Sequence, residues 1–426
     1  MSTRTTVRRS AAALLAATTL TLLPTTATAT ATTGTTADRH TDGGWRGAWA
    51  ASPQSAAESF SPNWSRQGFA DQTVRQVVRV TASGTRNRIE LTNRYGTTPL
   101  RITGATVART ADGGAVEPGS VRRLLFGGRT SVTIPAGGTL RSDAAHLPVE
   151  AFESLTVTLY LAGETGPATF HQFATATSYR ANGDHRADVS GTAFGESTDS
   201  WYYLSGVEVS GGREAGRRNG IVAFGDSITD GVGSTANAND RYPDELAERL
   251  AAAGRPRAVL NHGIGGNQVV NDTTWAGEKA LTRFRKDVLT EPGVRTVILL
   301  EGINDIGGSG PAFPDPTPEV SVDRLIAGHL TLVREAHAKG LKVIGATLTP
   351  IEGSFYDSPE NEAKRTAFNE WVRTSAAYDA VVDFDRAVAD PAHPDRILPA
   401  YDAGDHLHPS DAGYAALARA LDLDEL

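Results

Sequence analysis

The chain has 426 residues, 39% of them hydrophobic and 21% charged, a composition that suits globular domains with cores of their own and leaves room for two of them. Its net charge of −8, with no Lys/Arg cluster, argues against nucleic acid or an anionic membrane as the main partner. With no cysteine, it can build neither a disulfide framework nor a thiolate metal site.

In chain order, Arg4, Arg8 and Arg9 precede an apolar Ala/Leu/Thr run over residues 11–23, followed by small-residue cleavage sites around Ala29 and Ala31. This pattern predicts a secretory signal peptide over residues 1–30 and an extracellular protein; the apolar run is too short to span a bilayer. The Arg8-Arg9 pair leaves twin-arginine export open beside the general route. No other stretch reaches membrane-spanning length. The only methionine is Met1, so the processed chain would hold no oxidisable sulfur. Residues 31–44 are rich in Thr, Gly and Asp and are expected to be a disordered linker.

From 45 to 210 the signals are those of β structure. Residues 74–80, 88–92 and 154–160 alternate apolar with polar, and 130–134 and 202–209 add further strands. Gly-rich turns such as Asp112-Gly-Gly and Gly127-Gly128 separate them. The expectation is an N-terminal all-β sandwich of jelly-roll type. The polar, glycine-rich stretch 211–219 is read as a linker. Beyond it, strands expected at 221–224, 258–260, 294–300, 342–348 and 380–384 alternate with helical patterns at 244–253, 278–289, 322–339, 360–378 and 412–421. In the third helix Val322, Leu325, Ile326, His329, Leu330 and Val333 form the apolar face. Such alternation predicts, for residues 220–426, a three-layer α/β domain around a parallel sheet.

Four short clusters lie at or just beyond expected strand ends or open the last helix. Gly225-Asp-Ser-Ile follows the first strand, Asn261-His-Gly-Ile-Gly-Gly the second and Gly302-Ile-Asn-Asp the third, and Asp405-His-Leu-His opens the final helix. In open α/β sheets, ligands bind at the strands' carboxyl ends. Acyl transfer needs what these clusters could supply. A serine hydroxyl is a weak nucleophile until a base stands within hydrogen-bond reach, so Ser227 pairs with His408 as base and Asp405 to orient the imidazole. The tetrahedral oxyanion needs preorganised donors, for which the N–H groups of Ser227 and Gly266 and the amide of Asn304 are the natural set.

With these blocks in this order, the chain resembles an SGNH hydrolase of the GDSL esterase/lipase family over roughly residues 218–424. The resemblance implies a flavodoxin-like hydrolase fold. It also implies Ser227 as nucleophile, Gly266 and Asn304 in the oxyanion hole, and Asp405 and His408 as acid and base. Gly265 would be the loop donor instead if the register slipped by one. The whole chain is similar, more loosely, to secreted two-domain members with a β-sandwich before the hydrolase domain, some of which deacylate plant polysaccharides.

Asp226 sits beside the nucleophile but is expected to hold the turn. His406, His408, Asp402 and Asp405 could be drawn as a metal site, yet neighbours in one loop seldom converge on an ion, so no metal and no cofactor is expected. Gly263-Ile-Gly-Gly lacks the full dinucleotide fingerprint. His262 is read as structural or pocket-lining, and Thr347–Pro350 and Phe355-Tyr356 either as pocket borders or as plain loop. Residues 171–179 could reach the cleft. Trp45, Trp49, Trp64, Trp201, Tyr202 and Tyr203 form either sandwich core or a sugar-stacking platform. The expected activity is that of a secreted serine esterase. Its substrate would be a small-molecule or polysaccharide ester, with a short acyl or acetyl group on a carbohydrate or aryl alcohol. An extracellular lipase or phospholipase is the alternative, and a non-catalytic carbohydrate-binding protein comes third. A monomer is expected.

Overall fold

The five strands of the α/β half form a parallel sheet in the order Val259–Gly263, Gly220–Gly225, Val294–Leu300, Lys342–Ala346, Ala380–Val382. The structure is a computed structural model that describes residues 44–58, 60–212, 217–309 and 316–426. The expected leader and all but Gly44 of the first linker lie outside these residues, as do residues 213–216 of the second linker. The strand Gly220–Gly225 shows why this sheet is central. Ile221, Val222, Ala223 and Phe224 are wholly buried, each large side chain contributing about 1.5–3 kcal/mol by leaving water.

Helices Tyr242–Ala252, Ala280–Asp287, Val322–Ala338, Pro359–Thr374 and Asp411–Ala420 connect or follow the strands. Their capping is local chemistry: Ser321, Ser358 and Ser410 each accept a backbone N–H from the first turn. The helix Val322–Ala338 buries Leu325, Gly328, His329, Leu332, Val333 and Ala336, a stripe rotated away from Val322, Ile326 and Leu330. The helix expected to run to 378 stops at Thr374, where Ala376 turns through a positive φ of 52°. Tyr378 is thereby free to fold back and bond His329 Nδ1 at 2.7 Å. The strand order 2-1-3-4-5 places a topological switch between Gly220–Gly225 and Val294–Leu300, and the crevice beyond their carboxyl ends is where a ligand fits.

The first half of the chain holds two larger antiparallel sheets. One runs Arg46–Ala50, Leu204–Ser210, Arg86–Thr92, Thr139–Arg141. The other runs Glu196–Thr198, Ser178–Asn182, Gln72–Arg79, Ser154–Leu161, Gly104–Arg109, Arg122–Arg123. Their inner faces share one core, including Ile89, Leu91 and Val207 from the first sheet and Val74, Leu155, Val157 and Leu159 from the second. Trp49, Trp64, Trp201, Tyr202 and Tyr203 are buried in that core, so they are packing residues and not an exposed platform. The single strand expected at 202–209 is broken at Tyr203, with φ at 57°. The chain changes sheets there, Trp201–Tyr202 pairing with Phe170–His171 and Leu204–Ser210 entering the four-stranded sheet.

All described residues fall in one compact unit. The seam between the β and α/β parts is polar and specific. Thr81 Oγ1 accepts from Val259 N–H at 3.0 Å, Arg94 bridges to Asp287 at 2.5 Å, and Gln54 Nε2 donates to Trp275 O at 3.0 Å. His262 is buried in this seam with Nδ1 2.9 Å from Ser52 Oγ, so it is structural and does not line the pocket.

Candidate active site

Ser227 opens a single helical turn, Ser227–Asp230, directly after the central strand. Asp226 caps that turn by accepting from Ile228 N–H at 3.0 Å, and Gly231 ends it in the left-handed region. Gly225 is required for a different reason. A Cβ there would overlap Leu300 O and the Thr229 side chain, because strand and turn meet without space for one. The tight turn keeps Ser227 6% exposed, within reach of the crevice.

His408 arrives on the loop before Asp411–Ala420. Asp402 folds this loop by accepting from Gly404 N–H at 2.7 Å and His406 N–H at 3.0 Å, while its other oxygen lies 2.6 Å from His406 Nδ1. Asp405 Oδ1 then accepts from the N–H groups of Leu407 and His408 at 3.0 and 2.8 Å. Its Oδ2 stands 2.6 Å from His408 Nδ1. A carboxylate only accepts, so Nδ1 carries the proton and Nε2 keeps a lone pair toward Ser227 Oγ, 2.9 Å away. Burial works against ionising Asp405, but the hydrogen bond and charge of His408, with the two backbone donors, hold its carboxyl well below the usual range.

Three donors face the space in front of Ser227. Among the described residues, the Ser227 and Gly266 N–H groups have no protein acceptor. Gly265 is excluded as the donor because its N–H goes to Asp230 Oδ2 at 2.9 Å. Gly266 has φ at 77° and its α-carbon faces the Trp275 ring, so a side chain would be both strained and displaced. Asn304 Nδ2 donates one hydrogen to Asn267 O at 2.9 Å. Because a carbonyl only accepts, this fixes which end of the amide is NH2 and leaves the second hydrogen for the crevice. Tyr356 O–H donates to Asn304 Oδ1 at 2.7 Å, locking the same orientation from the other side. No signal in the sequence assigned Tyr356 that task.

A cavity of about 390 Å³ covers Ser227, His408, Asp405, Gly266 and Asn304. Its walls are largely aromatic: Phe60 and Phe173 from the β part, and Trp275, Phe355 and Tyr356 from the α/β part. Residues 171–179 thus reach the cleft through Phe173, and Phe355-Tyr356 border it, whereas Thr347 is buried away from it with its hydroxyl 3.0 Å from Asp383 Oδ1. Beneath the floor lie three buried carboxyls. Burial raises both Asp226 and Glu301, each reinforced by neighbouring acids, and pushes Asp305 up to about 7. Arg283, 1% exposed, is the cation among them, bonding Glu301, Gly225 O, His262 O and Asn267 Oδ1. No group of three His, Cys, Asp or Glu among the described residues is arranged to hold a metal ion, and His406 pairs with Asp402.

A serine hydroxyl bonded to an oriented imidazole, with convergent amide donors at the carboxyl edge of a parallel sheet, is the chemistry of a carboxylic ester hydrolase. Residues 223–416 match the GDSL-like Lipase/Acylhydrolase family, and the α/β domain belongs to it. Similar solved structures include the acetylxylan esterase Axe2 from Geobacillus stearothermophilus, 25% identical, covering 49% of this chain and 95% of that one with a TM-score of 0.37. The acetyl xylan esterase AlAXEase is 21% identical over 47% of this chain and 96% of that one, with a TM-score of 0.36. LAE5, an alpha/beta hydrolase enzyme from the Lake Arreo metagenome, is 24% identical over 47% and 92%, also at 0.36. No curated protein matches the chain.

Proposed function

We propose that this protein is a secreted serine esterase that works through an acyl-enzyme on short acyl or acetyl esters of carbohydrate or aryl alcohols. The observation that carries the reading is the run Ser227 Oγ to His408 Nε2 to Asp405, at 2.9 and 2.6 Å, open to a cavity with three amide donors. Ser227 Oγ attacks the ester carbonyl carbon while His408 Nε2 takes its proton, and the carbonyl electron pair moves onto the oxygen held by Ser227 N–H, Gly266 N–H and Asn304 Nδ2. Collapse expels the alcohol, which leaves with the proton from His408. Water then loses a proton to His408, attacks the acyl-enzyme and frees the carboxylic acid as Ser227 recovers its proton.

The walls support the substrate class. The rings of Phe60, Phe173, Trp275 and Phe355 offer flat faces on which an aryl group or sugar ring can stack, in a volume at the small end for ligand pockets. A lipid substrate is the second reading, favoured by Phe60 and Phe355, which stand 69% and 54% exposed. Export rests on the N-terminal arginines and apolar run, and intact protein in culture medium with a new N-terminus near residue 30 would support it. The test of the activity is turnover of p-nitrophenyl esters from acetate to palmitate, acetylated xylan and a phospholipid by wild type and Ser227→Ala. Equal rates for the two proteins would end the serine mechanism, and preference for palmitate or phospholipid would replace the carbohydrate or aryl reading by the lipid one.

A further inference from the structure

Asp230 closes the helical turn that Ser227 opens, and it is the point where three parts of the molecule meet. Its Oδ2 accepts from Gly265 N–H at 2.9 Å, so it grips the peptide next to Gly266. Its Oδ1 stands 3.0 Å from His171 Nε2, a residue of the β part. Asn261 Nδ2 donates to Thr229 O at 2.8 Å and tightens the same junction. Nucleophile and oxyanion loop are thereby tied through one carboxylate.

His171 is 3% exposed and its Nδ1 lies 2.9 Å from Ser52 O. A carbonyl and a carboxylate both accept, so both ring nitrogens donate and the ring is the cationic partner of Asp230. Burial disfavours that charge, but Asp230, by charge and hydrogen bond, raises the pKa of His171 overall. The ring is stacked on Trp201 at 5.4 Å, which fixes its plane. Two residues further on, Phe173 lies against Gly265, where a Cβ would overlap its ring. The β part therefore both clamps and covers the loop that carries Gly266.

We propose that His171 is a positioning residue of the hydrolase. Through Asp230 it holds the Gly265–Gly266 peptide in register with Ser227, which makes the β-sandwich a working part of the active site. The inference rests on Ser227 and Gly266 acting as nucleophile and oxyanion donor. Three variants test it with p-nitrophenyl acetate, with folding followed by thermal unfolding. In His171→Asn the amide can still reach Ser52 but not Asp230. A misplaced oxyanion donor should lower kcat about tenfold to a hundredfold while KM stays within about twofold. His171→Gln returns a donor near the Nε2 position and should recover to within about fivefold of wild type. Asp230→Asn, which perturbs the same link from the other end, should lower kcat similarly, and adding it to His171→Asn should cost little more. Wild-type turnover by a folded His171→Asn protein would overturn the proposal. So would Gln and Asn variants equally impaired at equal melting temperature, or fully additive losses. Labelling of wild-type Ser227 by a fluorophosphonate separates the two levels. Oγ displaces fluoride from phosphorus and His408 takes the proton, so an unlabelled wild type would instead remove the serine reading beneath.

Discussion

Tyr356→Phe removes one oxygen and isolates how much of the proposed oxyanion hole depends on orienting Asn304. Both residues are 3% exposed, and the bond between them is 2.7 Å. Deleting the donor leaves a buried amide oxygen unsatisfied, a penalty of about 1–3 kcal/mol for an uncharged group. The amide is not released altogether, since Nδ2 still donates to Asn267 O at 2.9 Å. The expected loss is therefore near the lower end, about tenfold in kcat at roughly 1.4 kcal/mol per decade. Asn304→Ala, which deletes the donor itself, should cost about a hundredfold or more. Because the lost hydroxyl bonds Asn304 Oδ1 and the ring that borders the cavity is kept, KM should stay within about twofold. The decisive assay is the double-mutant cycle in steady-state hydrolysis of p-nitrophenyl acetate. Once Asn304 is alanine, the Tyr356 hydroxyl has nothing left to orient, and Tyr356→Phe should change kcat by less than about twofold. A full tenfold loss in that background would refute the reasoning and assign Tyr356 to shaping the pocket instead.

Gly266→Ala adds a methyl at φ 77° against the Trp275 ring. It should cut kcat by about a hundredfold with the fold retained, and turnover near wild type would show that the loop has slack. Asp405 has its folded pKa held below the unfolded value near 3.9. Its contribution to stability is thus fully present above that value and lost as pH falls through the folded one. In urea titrations wild type and Asp405→Asn should differ by a constant amount above about pH 5 and converge in stronger acid. A difference that persists unchanged into acid would argue against the hydrogen bonds that hold the Asp405 carboxylate. Asp226 has the opposite sign: its raised pKa means the native state keeps a proton that the unfolded chain has lost, so stability declines as pH rises from about 4 through the raised value. Asp226→Asn keeps an acceptor for Ile228 N–H and removes this titration. Its stability should vary less than wild type's across that range, and identical slopes in the two proteins would contradict the assignment.

The parts of the site that could be read in advance share a property: each is a short cluster whose chemistry and place at a strand end are both local. Gly225-Asp-Ser, Gly265-Gly266, Asn304 and Asp405-x-x-His fall within a few residues of a strand end or helix start that periodicity already marks, because a buried parallel strand shows as an apolar run. Local chemistry also separated Asp226 from Asp405. The residue before a turn's first helical position is an N-cap by geometry, and its side-chain oxygen accepts from Ile228 N–H. What stayed hidden depends on approach between distant segments. Tyr356 meets Asn304 across 52 positions and His171 meets Asp230 across 59, and neither carries any periodic signal. Alternation also misstates exposure, as in Ser154–Leu161, where the polar positions Thr156 and Thr158 are as hidden as Leu155 and Val157.

The same distinction bears on what the β part is for. Periodicity reports packing of a segment against its own sheet, and most of residues 45–210 pack in that way, into a core that also takes in Ala258. The seam residues answer to a different constraint. Ser52, Gln54, Thr81, Arg94 and His171 each place a polar group on an acceptor or donor in the α/β part, on its second strand, a loop, a helix end and the turn after Ser227. Parting the two surfaces would exchange each of these bonds for one to water, a net cost of about 0.5–1.5 kcal/mol apiece. Several such groups along one seam resist hinge motion between the two parts. Rigidity there is useful where the chemistry needs it, because the oxyanion loop hangs from this seam through Asp230 and Phe173 covers it. A sandwich that served only to bind polymer would gain nothing from fixing the peptide beside Gly266.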